Sequence, residues 1–147
     1  MVDNGKFRIA FYKGTRPGVA GLYNRLGRWL DHGPYSHCEL VFSDGMSASS
    51  SFMDHGVRIK FIGYTSVDCW DFADLPAQYE LDARRWFMKY HGAEYDVMGN
   101  INAMFGFVPH SPDKWFCSEA IAASLNLTDP WRYKPNGLAA VLKELDQ

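Results

Sequence analysis

The chain has 147 residues, of which 47% are hydrophobic and 16% aromatic, enough apolar material for one buried core and too much for a disordered segment. The net charge of −2, with no cluster of lysine and arginine, argues against a nucleic-acid-binding protein. We therefore expect a single domain that spans residues 1–147.

The first half of the chain predicts strands, with one helix among them. Apolar and polar residues alternate in several short segments, and turn signals rich in glycine separate them. After the first segment, apolar residues recur at helical spacing, which predicts an amphipathic helix from Pro17 to about Asp31. We interpret the consecutive strands as an antiparallel β-meander. The predicted strands cover residues 7–12, 36–42, 46–52, 57–62 and 67–72.

The second half of the chain predicts helices. Apolar residues recur there at helical spacing, and Asp113 is a candidate N-cap for the helix that begins near Cys117. Strands followed by helices along one chain are typical of the α+β class. The predicted helices cover residues 77–90, 97–105, 117–125 and 135–145.

The termini and the cysteines bear on the compartment. The N-terminus has no apolar run of signal-peptide length, and no stretch reaches the roughly 18 apolar residues of a membrane-spanning helix. The three cysteines have no paired spacing, which is typical of free thiols in a reducing compartment. We therefore expect a cytoplasmic protein without a transmembrane segment.

The segment from Trp115 to Ala122 places Cys117 where an apolar stretch runs into a helix. A thiol in the first turn of a helix lies at the positive end of the helix dipole, which favours the nucleophilic thiolate. Backbone N–H groups in that turn, where Ser118 and Glu119 lie beside the cysteine, can also stabilise a developing oxyanion. The apolar neighbours leave a second interpretation open, in which Cys117 is a core thiol.

His37 lies on a predicted strand, and strand alternation places it on the same face as Glu39. A catalytic imidazole needs one nitrogen directed at the thiol and the other held by a polar group that fixes its orientation. Glu39 is one candidate for that third group, and Ser49 or Ser50, across the predicted hairpin, are others. The alternative is that His37 has only a structural role.

The other two cysteines are expected to be core residues. Cys38 faces away from His37 with the apolar residues of its strand, and Cys69 lies beside a tryptophan. A zinc site would need three or four ligands at workable spacing, which the histidines and cysteines of this chain do not supply. We therefore expect no metal and no other cofactor.

Three motifs resemble the NlpC-type papain-like family. Residues 36–45, a histidine-bearing strand followed by an Asp-Gly turn, resemble the histidine motif of that family. Residues 94–99 resemble its Tyr-Asp segment, and residues 115–119 resemble its Cys-Ser nucleophile helix. The histidine precedes the cysteine here, which resembles the circularly permuted branch found in bacterial and phage proteins. The resemblance covers residues 7–145.

The resemblance implies a papain-like fold, in which an antiparallel sheet packs against helices and the nucleophilic cysteine begins a helix. It implies that Cys117 is the nucleophile, that His37 is the general base, and that Tyr95 either lines the site or packs beside it. The third polar residue of the family usually lies on the strand after the histidine, where this chain has serines and an alanine. This departure leaves Glu39, or a serine such as Ser49, for the role.

Residues and resemblance together predict a thiol hydrolase that cleaves an amide or ester bond through an acyl-enzyme on Cys117. The substrate would contain a peptide, amide or acyl group. An acyltransferase or thioesterase with the same site is one alternative, and a non-catalytic binding protein is another. A phage-encoded protein of this kind would act in the virion or in the host cytoplasm, and the oligomeric state stays open. Each enzymatic alternative requires the sulfur and the imidazole to lie side by side in an open groove.

Overall fold

The computed structural model describes residues 5–15, 18–105 and 111–144. Within these residues the protein is an α+β structure with a five-stranded antiparallel sheet and five α-helices. The strands are β1 (Arg8–Tyr12), β2 (His37–Val41), β3 (Met46–Ser51), β4 (Gly56–Phe61) and β5 (Trp70–Asp74). The helices are α1 (Val19–Asp31), α2 (Glu80–Lys89), α3 (Val97–Phe105), α4 (Cys117–Ser124) and α5 (Pro135–Lys143).

Short 3₁₀ helices occur at Val67–Cys69, Ala77–Tyr79 and Pro130–Arg132. The elements lie close to their predicted positions, although the predicted helix start at Pro17 and helix end at 145 fall outside the described residues. None of the described helices combines the length and the hydropathy that crossing a membrane requires.

The sheet has the strand order β4-β3-β2-β1-β5, and only part of it is a meander. Strands β2, β3 and β4 follow one another as antiparallel neighbours, as predicted. The last strand does not continue this series, because β5 pairs with β1 at the opposite edge, with Phe11 facing Asp71. The prediction of one continuous meander, with a fourth partner at 67–72, is therefore wrong.

The physical reason for this crossover is burial: the face of the sheet that points away from the helices carries apolar side chains, which the β4–β5 connection covers. The connection between β4 and β5 brings Tyr64 over Ala10 and Val41, where it is buried. The Tyr64 ring packs edge-on against Trp70 at 5.0 Å between ring centroids, and its hydroxyl is 2.9 Å from Ser47 Oγ. Burying these apolar side chains stabilises the crossover, whereas a further hairpin would leave them in water.

The main core lies between the other face of the sheet and the helices. Helix α4 packs directly against β2 and β3, and α2 and α5 in turn pack against α4. Seven of the eight residues of α4 are buried, and its small alanines let the helix approach the sheet closely. The first residue of α4 is therefore held against β2, the strand that begins with His37.

The outer edge of β4 is partly covered by residues 92–94. Val57 donates its N–H to the Ala93 carbonyl at 2.9 Å, and Gly92 donates its N–H to the Val57 carbonyl at 2.9 Å. Gly56, at the start of β4, has a φ of +140°, and a Cβ at this position would lie 1.9 Å from the Ala93 carbonyl oxygen. Glycine is required there by both the backbone conformation and the space.

We expect Gly56→Ala to lower the free energy of unfolding by about 2 kcal/mol or more, because it adds backbone strain and a clash with the main chain. Gly137→Ala is the control, since Gly137 lies in α5 with open space around its Cα and ordinary φ. The control should raise the free energy of unfolding by about 0.5–1 kcal/mol, the helix-propensity difference. Urea unfolding followed by circular dichroism measures both, and equal stabilities would contradict the packing described at Gly56.

Candidate active site

Helix α4 begins at Cys117, which lies in its first turn. Phe116 precedes it in an extended conformation, and its backbone N–H donates to Glu119 Oε2 at 3.3 Å, which is one half of a capping box. The predicted N-cap at Asp113 is therefore wrong, because the N-cap position is occupied by Phe116, three residues later. Ser50 Oγ donates to the Trp115 carbonyl at 2.6 Å and fastens this segment to β3.

The imidazole is held from its own strand. His37 is the first residue of β2, and its Nε2 lies 2.7 Å from Glu39 Oε1. Strand alternation places both side chains on one face of the sheet, as predicted. The preceding residue, Ser36, is bound from outside the sheet: Asn24 Nδ2 in α1 donates to Ser36 Oγ at 2.9 Å. The position of His37 is thus set from both the sheet and α1.

The carboxylate of Glu39 is buried and is shared by two cationic groups. Arg58 in β4 donates from Nη1 to Glu39 Oε2 at 2.6 Å and from Nη2 to Glu39 Oε1, in a bidentate arrangement. Arg58 Nε donates to Asp54 Oδ2 at 2.8 Å, which holds the guanidinium from its other side. Burial raises the pKa of Glu39, but the hydrogen bonds from Arg58 and His37 outweigh it, so the pKa is lowered overall. Glu39 is therefore an anion.

The serines proposed as alternatives to Glu39 form other hydrogen bonds. Ser49 Oγ donates to the Cys38 carbonyl at 2.7 Å, and Ser50 Oγ donates to Trp115 as described above. Ser49 faces Arg58 across the β3–β4 ladder, and its small side chain leaves room for the guanidinium to reach Glu39. The group that holds the imidazole is therefore Glu39, and Ser49 contributes by its size.

The thiol of Cys117 and the imidazole of His37 lie close enough together for each to shift the pKa of the other. The thiol and the backbone N–H of Cys38 are also near the sulfur and lower the pKa of Cys117. Because Nε2 of His37 faces Glu39, Nδ1 is the nitrogen left to face the sulfur. Folding thus brings a carboxylate, an imidazole and a thiol together, with a hydrogen bond between the carboxylate and the imidazole.

This arrangement shifts the pKa values of the pair in opposite directions. Burial lowers the pKa of His37, but the negative charges of Cys117 and Glu39 outweigh it and raise that pKa to about 9. The hydrogen bond from the Cys38 thiol lowers the pKa of Cys117, burial opposes this, and the His37 imidazolium adds to the lowering, so the pKa lies well below the ordinary thiol value. Both shifts favour the ion pair of a thiolate and an imidazolium over the neutral thiol and imidazole.

Cys38 has a role beyond the core position that its apolar face predicts. It is fully buried among core residues, but its side chain also contacts the sulfur of Cys117. Burial and the adjacent thiolate raise the pKa of Cys38 well above the ordinary value, so it stays a protonated thiol and a hydrogen-bond donor. Sequence reasoning missed this contact, although alternation already places Cys38 on the helix-facing side of β2.

Glu119 lies fully buried in the first turn of α4, close to the thiolate. Burial raises its pKa to about 8, the hydrogen bond from the Phe116 N–H opposes this, and the charges of Asp96 and Cys117 add to the rise. The carboxyl group is therefore mostly protonated at neutral pH. A neutral Glu119 does not repel the Cys117 thiolate, although it lies in the same helical turn.

Ser118 and Tyr95, the two other residues predicted for the site, both lie near Cys117 but form hydrogen bonds elsewhere. Ser118 is fully buried, and its hydroxyl donates to the Tyr133 carbonyl at 2.6 Å, so its side chain faces away from a substrate and only its backbone N–H lies in the first turn. Tyr95 is half-buried and pairs with Trp115 as an isolated bridge, and its hydroxyl accepts from Asn100 Nδ2 at 2.8 Å. Tyr95 therefore lies beside the segment that leads into Cys117.

Asp96, the aspartate of the Tyr-Asp segment, is a buried supporting residue to which sequence reasoning gave no role. Its Oδ1 accepts the Gly99 N–H at 2.7 Å and caps α3, and its Oδ2 accepts the Ser111 N–H at 3.2 Å. Its own N–H donates to the Trp115 carbonyl at 3.2 Å. An acidic residue just before an apolar helical segment is a cap signal in the sequence, and here the cap also positions the approach to Cys117.

The site is less open than the predicted groove. Cys117 is only 4% exposed, whereas the side chain of His37 is 14% exposed. The imidazole is therefore the more accessible half of the pair.

No protein-family model matches this chain, and no curated protein matches it significantly. The functional conclusions below therefore depend on the residues and contacts just described.

The raised pKa of His37 can be measured by NMR titration of its ring nitrogens, with an expected value of about 9. Cys117→Ala and Glu39→Gln should each lower that pKa, because each removes a negative charge next to the imidazolium. Asp74→Asn is the control, since it removes an exposed carboxylate at the far end of β5. A wild-type value near the ordinary histidine pKa of ~6.5 would contradict the ion pair.

The three cysteines should differ in their reaction with iodoacetamide at about pH 6, where an ordinary thiol is almost entirely protonated. Cys117 should be alkylated first because it is a thiolate, and Cys38 should be slow because it is a buried thiol. Cys69 is the matched control, half-buried and separated from β2 by β1. Peptide mass spectrometry measures the three rates, and equal slow labelling would indicate that Cys117 is only a core thiol.

Proposed function

We propose that the protein is a thiol hydrolase that cleaves an amide or ester bond through an acyl-enzyme on Cys117. The observation that carries this proposal is the buried row in which Glu39 holds His37 and His37 lies close enough to Cys117 for the two to shift each other's pKa. A nucleophile, a proton carrier and an orienting group in mutual contact are the parts that covalent acyl transfer needs.

In the first step, the Cys117 thiolate attacks the substrate carbonyl carbon and forms a C–S bond. The carbonyl oxygen becomes an oxyanion, for which backbone N–H groups in the first turn of α4 are suitable donors. His37, already protonated, gives its Nδ1 proton to the leaving nitrogen or oxygen as the C–N or C–O bond breaks. The products are a Cys117 thioester, a neutral imidazole and the protonated leaving group.

In the second step, water attacks the thioester. Neutral His37 takes a proton from this water as it forms the new C–O bond, and the C–S bond then breaks. The carboxylic acid product leaves, and Cys117 and His37 return to the thiolate and the imidazolium. Each turnover therefore consumes one water and needs no cofactor.

Glu39 and Arg58 act on this cycle through the imidazole. Glu39 accepts the Nε2 proton and fixes which nitrogen faces the sulfur. Arg58 keeps Glu39 ionised, so Glu39 does not take the proton that His37 must deliver to the leaving group. Both are positioning residues, since neither faces the sulfur.

We extend the proposal to the fold, which we assign to a particular type of α+β domain. The order of a histidine-bearing strand before a cysteine-bearing helix, with α4 packed on β2 and β3, supports a circularly permuted NlpC-type papain-like domain. Catalysis needs the thiol, the imidazole and the orienting group within hydrogen-bond reach, and not a particular chain order.

The cytoplasm is the compartment that this site favours. The thiols of Cys38 and Cys117 are in contact, and an oxidising compartment would promote a disulfide between neighbouring thiols. A reducing compartment keeps Cys117 available as a nucleophile.

A series of p-nitrophenyl esters and acyl p-nitroanilides tests the proposal. We expect a burst of p-nitrophenol and an acyl adduct on Cys117 in the intact mass, and Cys117→Ala should show neither. Glu39→Gln should slow acylation by about 10²–10⁴-fold, because the imidazole loses its orienting carboxylate. Ser49→Ala is the control, since its hydroxyl donates to a backbone carbonyl and not to His37.

Other results of this experiment separate the alternatives. An adduct that added amines or alcohols remove much faster than water would indicate an acyltransferase. No adduct with any ester, thioester or anilide, in a protein whose Cys117 alkylates rapidly, would contradict the hydrolase and favour a binding protein.

A further inference from the structure

The residues of α1 whose burial is described and that face the domain are small or polar, unlike the apolar inward face of an ordinary surface helix. Gly21 and Asn24 are buried, and Asn24 binds Ser36 beside the site. Arg28 donates to the carbonyls of Lys13 and Gly14 at 2.9 and 2.6 Å. Helix α1 is thus fastened to the domain by hydrogen bonds on this face.

The outward face of α1 is apolar. Leu22, Leu26 and Trp29, spaced four and three residues apart, form one stripe with exposed fractions of 68%, 48% and 72%. The sequence predicts an amphipathic helix here, and the structure turns these three apolar residues to the solvent. Exposing a tryptophan and two leucines in one stripe marks a surface that binds something.

Helix α3, which contacts α1, enlarges this surface with its own exposed apolar side chains. Val97, Met98 and Ile101 lie within one turn and a half of α3 and are all exposed. We call the combined surface the α1–α3 face, and it consists of Leu22, Leu26, Trp29, Val97, Met98 and Ile101.

The net charge of α1 and α3 together is positive. Helix α1 contains Arg25, Arg28 and Asp31, of which Asp31 accepts from Asn136 Nδ2 and lies 3.7 Å from Lys134 Nζ, and residues 97–105 contain no charged residue. Arg25 is exposed beside the apolar stripe. The chain as a whole carries −2, so this region has the opposite sign to the whole protein.

We infer that the α1–α3 face binds the surface of an anionic lipid bilayer. Leucine and tryptophan that enter the headgroup boundary, with arginine beside them to pair with lipid phosphates, are the features of an interfacial helix. A second copy of the chain fits less well, because a twofold contact through this face would place Arg25 of both copies beside apolar side chains, with no acidic residue of the α1–α3 face to pair with them.

Docking through this face would bring the Cys117–His37 pair close to the bilayer. Helix α1 is tied to Ser36, next to His37, and α3 follows Asp96, whose N–H binds the Trp115 carbonyl. This consequence rests on the proposed function, whereas the binding itself does not, so the two can fail separately.

Co-sedimentation with large vesicles tests the binding. We expect the protein to sediment with phosphatidylcholine vesicles that contain phosphatidylglycerol, more weakly with phosphatidylcholine alone, and less as salt is raised. Leu26→Glu combined with Trp29→Glu should weaken binding to the anionic vesicles by about tenfold or more. The matched control is Leu81→Glu combined with Met88→Glu, which changes similarly exposed apolar residues on α2 and should bind as wild type does.

Circular dichroism checks that both double variants fold, and Cys117→Ala should bind vesicles as wild type does, which separates binding from catalysis. Equal binding by the two double variants, or no binding to anionic vesicles, would overturn the inference. A concentration-dependent dimer in light scattering that only the α1 double variant abolishes would assign the face to a second copy instead.

Discussion

The ionised carboxylate of Glu39, buried between Arg58 and His37, is the interaction on which the rest of the site depends. Moving a carboxylate out of water is costly unless charges and hydrogen bonds compensate it, and here both oxygens are occupied. The compensation continues along a row of alternating sign, from Arg58 through Glu39 and His37 to the Cys117 thiolate. Each charge is stabilised by its neighbour, so the ion pair at the sulfur follows from the pair at Arg58.

Strand β3 joins the two halves of this site with small polar side chains. Its residue opposite Arg58 is Ser49, which is small enough for the guanidinium to pass and reach Glu39. On the opposite face of the same strand, Ser50 holds the Trp115 carbonyl and so fixes where α4 begins. A larger side chain at Ser49 would separate the charges, and a residue without a donor at Ser50 would loosen the helix start. A run of serines is therefore the structural link between histidine and cysteine.

Cys117, at the start of α4, is both buried and surrounded by groups that favour its thiolate. The helix lies almost entirely in the core, which gives Cys117 a fixed position but would by itself favour the neutral thiol. The imidazolium of His37 and the hydrogen bonds from Cys38 reverse that preference, while Glu119 is mostly neutral nearby. Cys117 thus has both the burial of a core thiol and surroundings that favour the thiolate. The same packing leaves α1 at the periphery with its apolar stripe outward.

The sequence by itself determined the α+β class, the positions of most elements, the cysteine at a helix start and the shared face of His37 and Glu39. These features follow from residue patterns that repeat every two to four positions, because local backbone geometry sets those periods. Only the tertiary structure decided that Arg58 pairs with Glu39, that Cys38 contacts Cys117, that β5 joins β1, and that the Ser118 hydroxyl points inward. Periodicity specifies the faces of an element but not which element lies opposite, because that depends on contacts between distant parts of the chain.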